Sequence, residues 1–232
     1  DAEPPEGAQV RTPSPVLPGR HRRPRGQDFV EGEAELPKDT LLDYSRLTVA
    51  AAINHPTVEV YRRPRVAILA TGDELLPPGH TPQAAQIIAS NMFGISALIE
   101  DNGGEVVDLG IVPDNRDAIR SAVDAAKAAD VDVLVTSGGA SVGDHDLVQS
   151  TLKAAGMELD FWRIAMRPGK PLMVGSLGDM QVLGLPGNPV ASLVCGLLFL
   201  EPLLRKLGRL PERNREGHAV AARDLAANDR RQ

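Results

Sequence analysis

The sequence predicts an α/β fold in which a mostly parallel sheet carries helices on both faces, a three-layer arrangement. Three observations support this. Short apolar runs of strand length alternate with segments of about a dozen residues whose apolar positions recur at helical spacing. Each apolar run ends in a cluster of Gly, Ser, Asp, Asn or Pro, the punctuation expected where a strand hands over to a helix. Repeated strand–helix–strand units require crossover connections and therefore parallel neighbours. The 232 residues are 42% hydrophobic and 24% charged, a globular balance that supplies a core and excludes a wholly disordered chain.

Taken in order, residues 1–26 hold Pro4, Pro5, Pro13, Pro15, Pro18 and Pro24, too dense for a helix or a central strand. The basic run Arg20, His21, Arg22, Arg23 and Arg25 reads as a solvated linker. Tyr44 to Ile53 predicts a short helix, and Val58 to Tyr61 a short strand closed by Arg62-Arg63-Pro64. Val66 to Ala70 is the first buried-type strand. A helix follows over 90–101, with Ile95, Leu98 and Ile99 on one face and Asn102-Gly103-Gly104 as its stop. Val106 to Ile111 is the next strand, followed by a helix from Arg116 to Ala129. Asp132 to Thr136 is a third strand and Asp146 to Ala155 its helix. Pro171 to Ser176 and Gln181 to Gly184 flank Gly178-Asp179 as paired strands. Pro189 to Leu207 is almost wholly apolar, which predicts a helix buried on all sides.

Composition narrows the function. With 25 Lys and Arg against 31 Asp and Glu the net charge is −6, which argues against general nucleic-acid binding. Cys195 is the only thiol, so no intrachain disulfide forms, and a reducing cytoplasm fits. The longest apolar run, Val190 to Leu200, is about half the length a bilayer requires, and no signal peptide opens the chain. The chain starts at Asp1 without a methionine and is expected to be a fragment.

The chemistry-bearing residues cluster at strand ends, where open α/β sheets bind ligands. Thr71-Gly72-Asp73-Glu74 places two carboxylates beside a glycine, suited to a divalent cation or to a turn with exposed acids. In Pro113-Asp114-Asn115, Asp114 either caps the next helix or faces the crevice. Ser137-Gly138-Gly139-Ala140-Ser141-Val142-Gly143-Asp144-His145-Asp146 is a glycine- and serine-rich loop suited to a phosphate nest. It lacks the Gly-Lys-Ser/Thr of a P-loop. His145 has no second histidine at ligand spacing, so zinc is not expected. Arg163, Arg167 and Lys170 surround a Pro-Gly turn and offer an anion clamp, while Trp162 is expected in the core. Leu185-Pro186-Gly187-Asn188-Pro189 joins a strand to the last helix, with Asn188 as N-cap and Pro189 in the first turn. If all five loops face one crevice, they form a site for a phosphorylated ligand with a divalent cation.

These loops, in this order and spacing from about Arg20 to Arg209, resemble the molybdopterin molybdenumtransferase (MoeA) family, of which the gephyrin E-domain is the eukaryotic relative. The resemblance implies a molybdopterin-binding α/β domain over 64–208. It is preceded by an extended or disordered stretch at 1–14 and by the end of an extended, β-rich dimer-contact domain at 15–63. An incomplete C-terminal β-barrel domain would begin at 209–232. The implied activity is Mg2+-dependent insertion of molybdate into adenylylated molybdopterin with release of AMP. Glu74, Asp114 and Asp146 would hold magnesium and act in catalysis with Arg163, Arg167 and Lys170. Thr71, Gly72, Asp73, Ser137, Gly138, Gly139, Ser141, Pro186, Gly187 and Asn188 would cradle the pterin phosphate. A homodimer, an upstream adenylyltransferase and recipient molybdoenzymes are the implied partners, with neither nucleic acid nor membrane. A molybdopterin-binding protein without turnover and the related adenylyltransferase are the alternatives. Many members read Gly-x-Ile-x-Asp-x-Asn-Arg before the first long helix, where this chain has Ala85, Ala89 and Met92 for the glycine, aspartate and arginine.

Overall fold

The computed structural model describes residues 17–20, 22–138, 147–220 and 222–224. The chain divides into two compact units, Asp1–Val58 and Glu59–Gln232. In the first unit the described residues form one helix, α1 (Tyr44–Ala52). Asp43 caps it: its carboxylate accepts from the Arg46 amide at 2.9 Å and from the Ser45 hydroxyl at 2.7 Å. These contacts hold the Asp43 carboxyl below its ordinary range.

The second unit is the α/β body. Its strands are β1 (Arg65–Thr71), β2 (Leu75–Leu76), β3 (Ile87–Ile88), β4 (Glu105–Val112), β5 (Val133–Ser137), β6 (Glu158–Trp162), β7 (Met173–Leu177) and β8 (Met180–Leu185). Its helices are α2 (Asn91–Asp101), α3 (Arg116–Ala128), α4 (Leu147–Ala154), α5 (Pro189–Cys195) and α6 (Glu201–Leu207), with a π-turn over Gly196–Leu200 joining the last two. Six strands form one sheet in the order β4-β1-β5-β8-β7-β6, and β2 and β3 form a separate parallel pair. β4, β1, β5 and β8 are parallel, while β7 runs antiparallel to both β8 and β6.

Period-two alternation along the strands builds two cores. Ala67, Leu69, Leu134 and Val182 point to one face, where Ile119, Val123 and Ala126 of α3 and Val148 and Leu152 of α4 cover them. Val66, Ile68, Val133, Val135, Leu183 and Leu185 point to the other, beneath Met92, Ile95 and Ile99 of α2 and Cys195, Leu200 and Leu204 of the last helical segment. The predicted three-layer architecture is therefore present.

Several sequence expectations need correction. Val58 to Tyr61 is not a strand, and no strand occurs among the described residues of 17–64. Val58, Val60 and Tyr61 are exposed and no neighbouring strand satisfies their backbone. The described residues of 209–224 likewise carry no strand. β6, β2 and β3 were not anticipated. The Pro189–Leu207 segment is not buried all round, because Val190, Leu193, Leu197, Leu198 and Leu207 are exposed. Its buried stripe runs through Ala191, Cys195, Leu200 and Leu204. The five-residue step from Cys195 to Leu200 spans the π-turn, whose extra residue keeps the stripe facing the sheet. Gly196 lets α2 approach closely, since a Cβ there would meet Leu98 at 2.9 Å.

Candidate functional site

The parallel strands put the segments after β1, β4, β5 and β8 at one edge of the sheet. The reversal of β7 adds another. Trp162, the last residue of β6, pairs with Met173, the first of β7, and Met173 pairs with Gly184 near the end of β8. The 163–172 turn therefore emerges at the same edge. All five loops singled out in the sequence start there.

The acids lie on two of them. Gly72 follows β1 with φ +153°, and the Glu74 carboxylate folds back until its Oε2 would be 2.6 Å from a Cβ on Gly72. Asp73 Oδ1 accepts from the Asp114 amide at 3.1 Å, tying the β1 loop to the β4 loop. Partial desolvation and the charges of Asp73 and Glu74 push the Asp114 carboxyl above its ordinary range. The helix-capping alternative for Asp114 is set aside: Asn115 is the N-cap of α3, its Oδ1 accepting from the Ala118 amide at 2.8 Å. The Asp114 carboxylate is therefore not the cap of α3.

The loop after β5 is held against its neighbours. Ser137 is buried. Gly138 has φ +93°, and a Cβ there would collide with the Thr71 carbonyl oxygen. Gly187 is in ordinary van der Waals contact with it, since a Cβ on Gly187 would lie 3.8 Å from Gly138 Cα. Backbone from three strand ends therefore approaches closely at the glycines, with no side chain between Gly138 and Thr71 or Gly187. The Thr71 hydroxyl is buried and has no hydrogen-bond partner among the described residues. After β8, Pro186 is buried. Asn188 caps α5 as expected, its Oδ1 accepting from the Ala191 amide at 3.1 Å.

The basic turn lies beyond β6 at the same side of the sheet. The Arg163 amide donates to Leu172 O and the Ile164 amide to Lys170 O, both at 2.9 Å, closing the turn. The Arg163 guanidinium lies 3.9 Å from the centroid of the Trp162 ring. Trp162 is half-buried rather than a core residue, packing at the margin of one core with its ring under Arg163. Arg167 and Lys170 are exposed, and no ion pair among the described residues joins them to Asp73, Glu74 or Asp114. Gly139, Ser141, Asp144, His145 and Asp146 lie outside the described residues.

One residue at this edge was not singled out as a site residue. Asn91, at the start of α2, donates through Nδ2 to Ser137 Oγ at 3.0 Å and to Gly187 O at 2.8 Å. The available signal was that Asn91 keeps the asparagine of the Gly-x-Ile-x-Asp-x-Asn-Arg pattern whose glycine, aspartate and arginine are replaced. The neighbouring Ala89 and Met92 are both buried. Met92 belongs to the core beside β1, where a family arginine would lack solvent.

Against known proteins, residues 67–206 match the family described as "probable molybdopterin binding domain". This chain belongs to that family. Among relatives of the molybdopterin-binding domain, a molybdopterin molybdenumtransferase of Nostoc is 41% identical over 196 residues, covering 83% of this chain and 45% of the relative. One of Haemophilus influenzae is 38% identical over 190 residues, covering 82% and 46% respectively. The structure of the MoeA molybdopterin biosynthesis protein of Pyrococcus horikosii superposes with TM-score 0.70 at 31% identity, over 79% of this chain and 45% of that one. The chain thus spans about half the length of the curated relatives it matches.

Proposed function

We propose that the chain belongs to a molybdopterin molybdenumtransferase, which inserts molybdate into adenylylated molybdopterin and releases AMP. The supporting observation is the convergence, on one sheet edge, of a side-chain-free backbone cradle and a mutually repelling set of carboxylates. The relatives named for this activity point the same way.

The residues suit the substrate. The cradle of Thr71, Gly72, Ser137, Gly138, Pro186, Gly187 and Asn188, with Asp73 beside it and Gly139 and Ser141 next in sequence, offers backbone N–H groups and hydroxyls to a phosphate. The unpartnered Thr71 hydroxyl supplies a donor that a bound ligand would satisfy. Arg163, Arg167 and Lys170 would hold the diphosphate or the incoming molybdate as an anion clamp.

A magnesium ion is part of this reading. Among the described residues no group of three or more His, Cys, Asp or Glu is close enough to hold a metal alone. The donor set is nonetheless oxygen only, as Mg2+ prefers, and a cation would offset both the partial desolvation of Asp114 and the neighbouring charges of Asp73 and Glu74 that raise its carboxyl. Glu74, Asp114 and Asp146 would be its protein ligands. When bound, it would neutralise the phosphoanhydride and polarise its oxygens. Glu74 and Asp114 would hold the cation beside the diphosphate, and the glycine cradle would fix the position of its phosphate.

No helix among the described residues is long and apolar enough to cross a membrane. The reading includes a cytoplasmic setting, a homodimer, supply by an adenylyltransferase and delivery to molybdoenzymes.

The test is AMP release from adenylylated molybdopterin with molybdate, with and without magnesium, for the wild type and for Asp114→Asn and Asp146→Ala. Magnesium-dependent release that falls at least about a hundredfold in the variants supports the transferase. Tight binding with no release would make it a molybdopterin-binding protein, and absence of binding would overturn the site.

A further inference from the structure

We propose that Asn91 is a positioning residue that sets the width of the phosphate cradle and turns the Ser137 hydroxyl into a donor toward the ligand. This rests on the molybdopterin-site reading above. Asn91 belongs to none of the strand-end loops; it opens α2. Its amide spans two of those loops, touching Ser137 Oγ at 3.0 Å and Gly187 O at 2.8 Å. The Gly187 carbonyl can only accept, so the side-chain atom facing it is the amide nitrogen. Both amide hydrogens are then used, one on each loop.

Two consequences follow. The bridge fixes the separation of the β5 and β8 loops where they approach without side chains, with Gly138 and Gly187 in near contact. It also fills a lone pair of Ser137 Oγ, so the hydroxyl proton cannot point toward Asn91 and is left to donate elsewhere. Ser137 is only 6% exposed, so that proton is largely kept from bulk solvent. α2 starts without a side-chain cap from Ser90, and Asn91 does not serve its own helix either. Its two hydrogen bonds go to the ligand loops.

The test uses the isosteric Asn91→Asp, Asn91→Ala, Ser137→Ala and the Asn91→Ala/Ser137→Ala double variant. The dissociation constant for adenylylated molybdopterin and the thermal midpoint are measured for each. Asn91→Asp keeps the shape and places an acid in a first helical turn, which favours folding, but it turns a carboxylate on the Gly187 carbonyl. The expected result is a loss of affinity of about tenfold or more in Asn91→Asp and Asn91→Ala, with the double variant losing less than the product of the two alanine changes. Turnover would show the loss in KM more than in kcat. Wild-type affinity in Asn91→Asp would overturn the proposal, as would fully multiplicative losses, or a lowered midpoint with unchanged affinity. A wild-type chain that binds no adenylylated molybdopterin would instead overturn the site reading, and this inference with it.

Discussion

Asp132 and Asp114 occupy opposite edges of the same sheet and have opposite electrostatics. Asp132, just before β5, accepts from both terminal nitrogens of Arg62, at 2.6 and 2.7 Å, and from the Arg65 amide at 2.7 Å. The Arg62 hydrogen bond chiefly holds its carboxyl below the ordinary 3.8, outweighing desolvation. Because the folded value is depressed, the stabilisation is present above 3.8 and is lost as pH falls through the folded value. The Arg62 side chain is 64% exposed, so solvent screens the pair and Arg62→Ala should lower stability only slightly at neutral pH. That gap should close below pH 3.8, as urea unfolding across pH would show; a constant gap would mean that Arg62 acts through packing. Among the described residues no ion pair reaches Asp114, and partial desolvation, followed by the charges of Asp73 and Glu74, raises its carboxyl. A carboxylate held in an ion pair and one set beside other acids are thus distinguished by their neighbours. From sequence alone Asp114 is either a helix cap or a crevice-facing carboxylate, and Asp132 is only the first residue of a strand.

Among the elements, α3 shows how one residue decides a role. The Pro113-Asp114-Asn115 segment contains two good capping types, and the cap could be assigned to either. The structure gives it to Asn115. Asn115→Ala should therefore cost about 1 kcal/mol of stability, while Asp114→Ala should leave α3 intact and affect only the site. Chemical denaturation of both variants checks this, and equal losses would return the cap to Asp114. The strongly periodic elements, α3 and the apolar strands β1, β5 and β8, were predictable because burial enforces their patterns. β6 was not, because Glu158-Leu159-Asp160-Phe161-Trp162 is an edge strand with Glu158, Asp160 and Phe161 exposed. β2 and β3 have two residues each, too short for any periodic signal. The exposed face of α5 escaped notice because apolar composition cannot reveal where the sheet ends.

For the α/β body as a whole, the chain leaving α6 is fastened by buried charge. Glu201 is only 2% exposed and meets Arg215 at 2.6 Å and Arg213 at 3.6 Å. Arg205 donates to Pro211 O at 2.7 Å and to the buried Asn102 Oδ1 at 3.1 Å, joining α6, the following segment and the end of α2. Removing one partner leaves a buried carboxylate short of counter-charge, which costs more than the intact pair contributes. Arg215→Ala should lower stability by about 2 kcal/mol, and adding Glu201→Gln should restore part of it. Thermal unfolding of the two variants tests this, and a double variant less stable than Arg215→Ala would refute it.

The sequence by itself determined the layered α/β class, the order of its long elements and the residue types of five strand-end loops, because each follows from local periodicity and turn chemistry. Only the tertiary structure decided which of those loops are held together. The antiparallel β7 brings the 163–172 turn to the same edge as the parallel strand ends, and Asn91 binds the β5 and β8 loops from a third element. Such long-range pairings depend on sheet order and helix approach, and no local pattern encodes them.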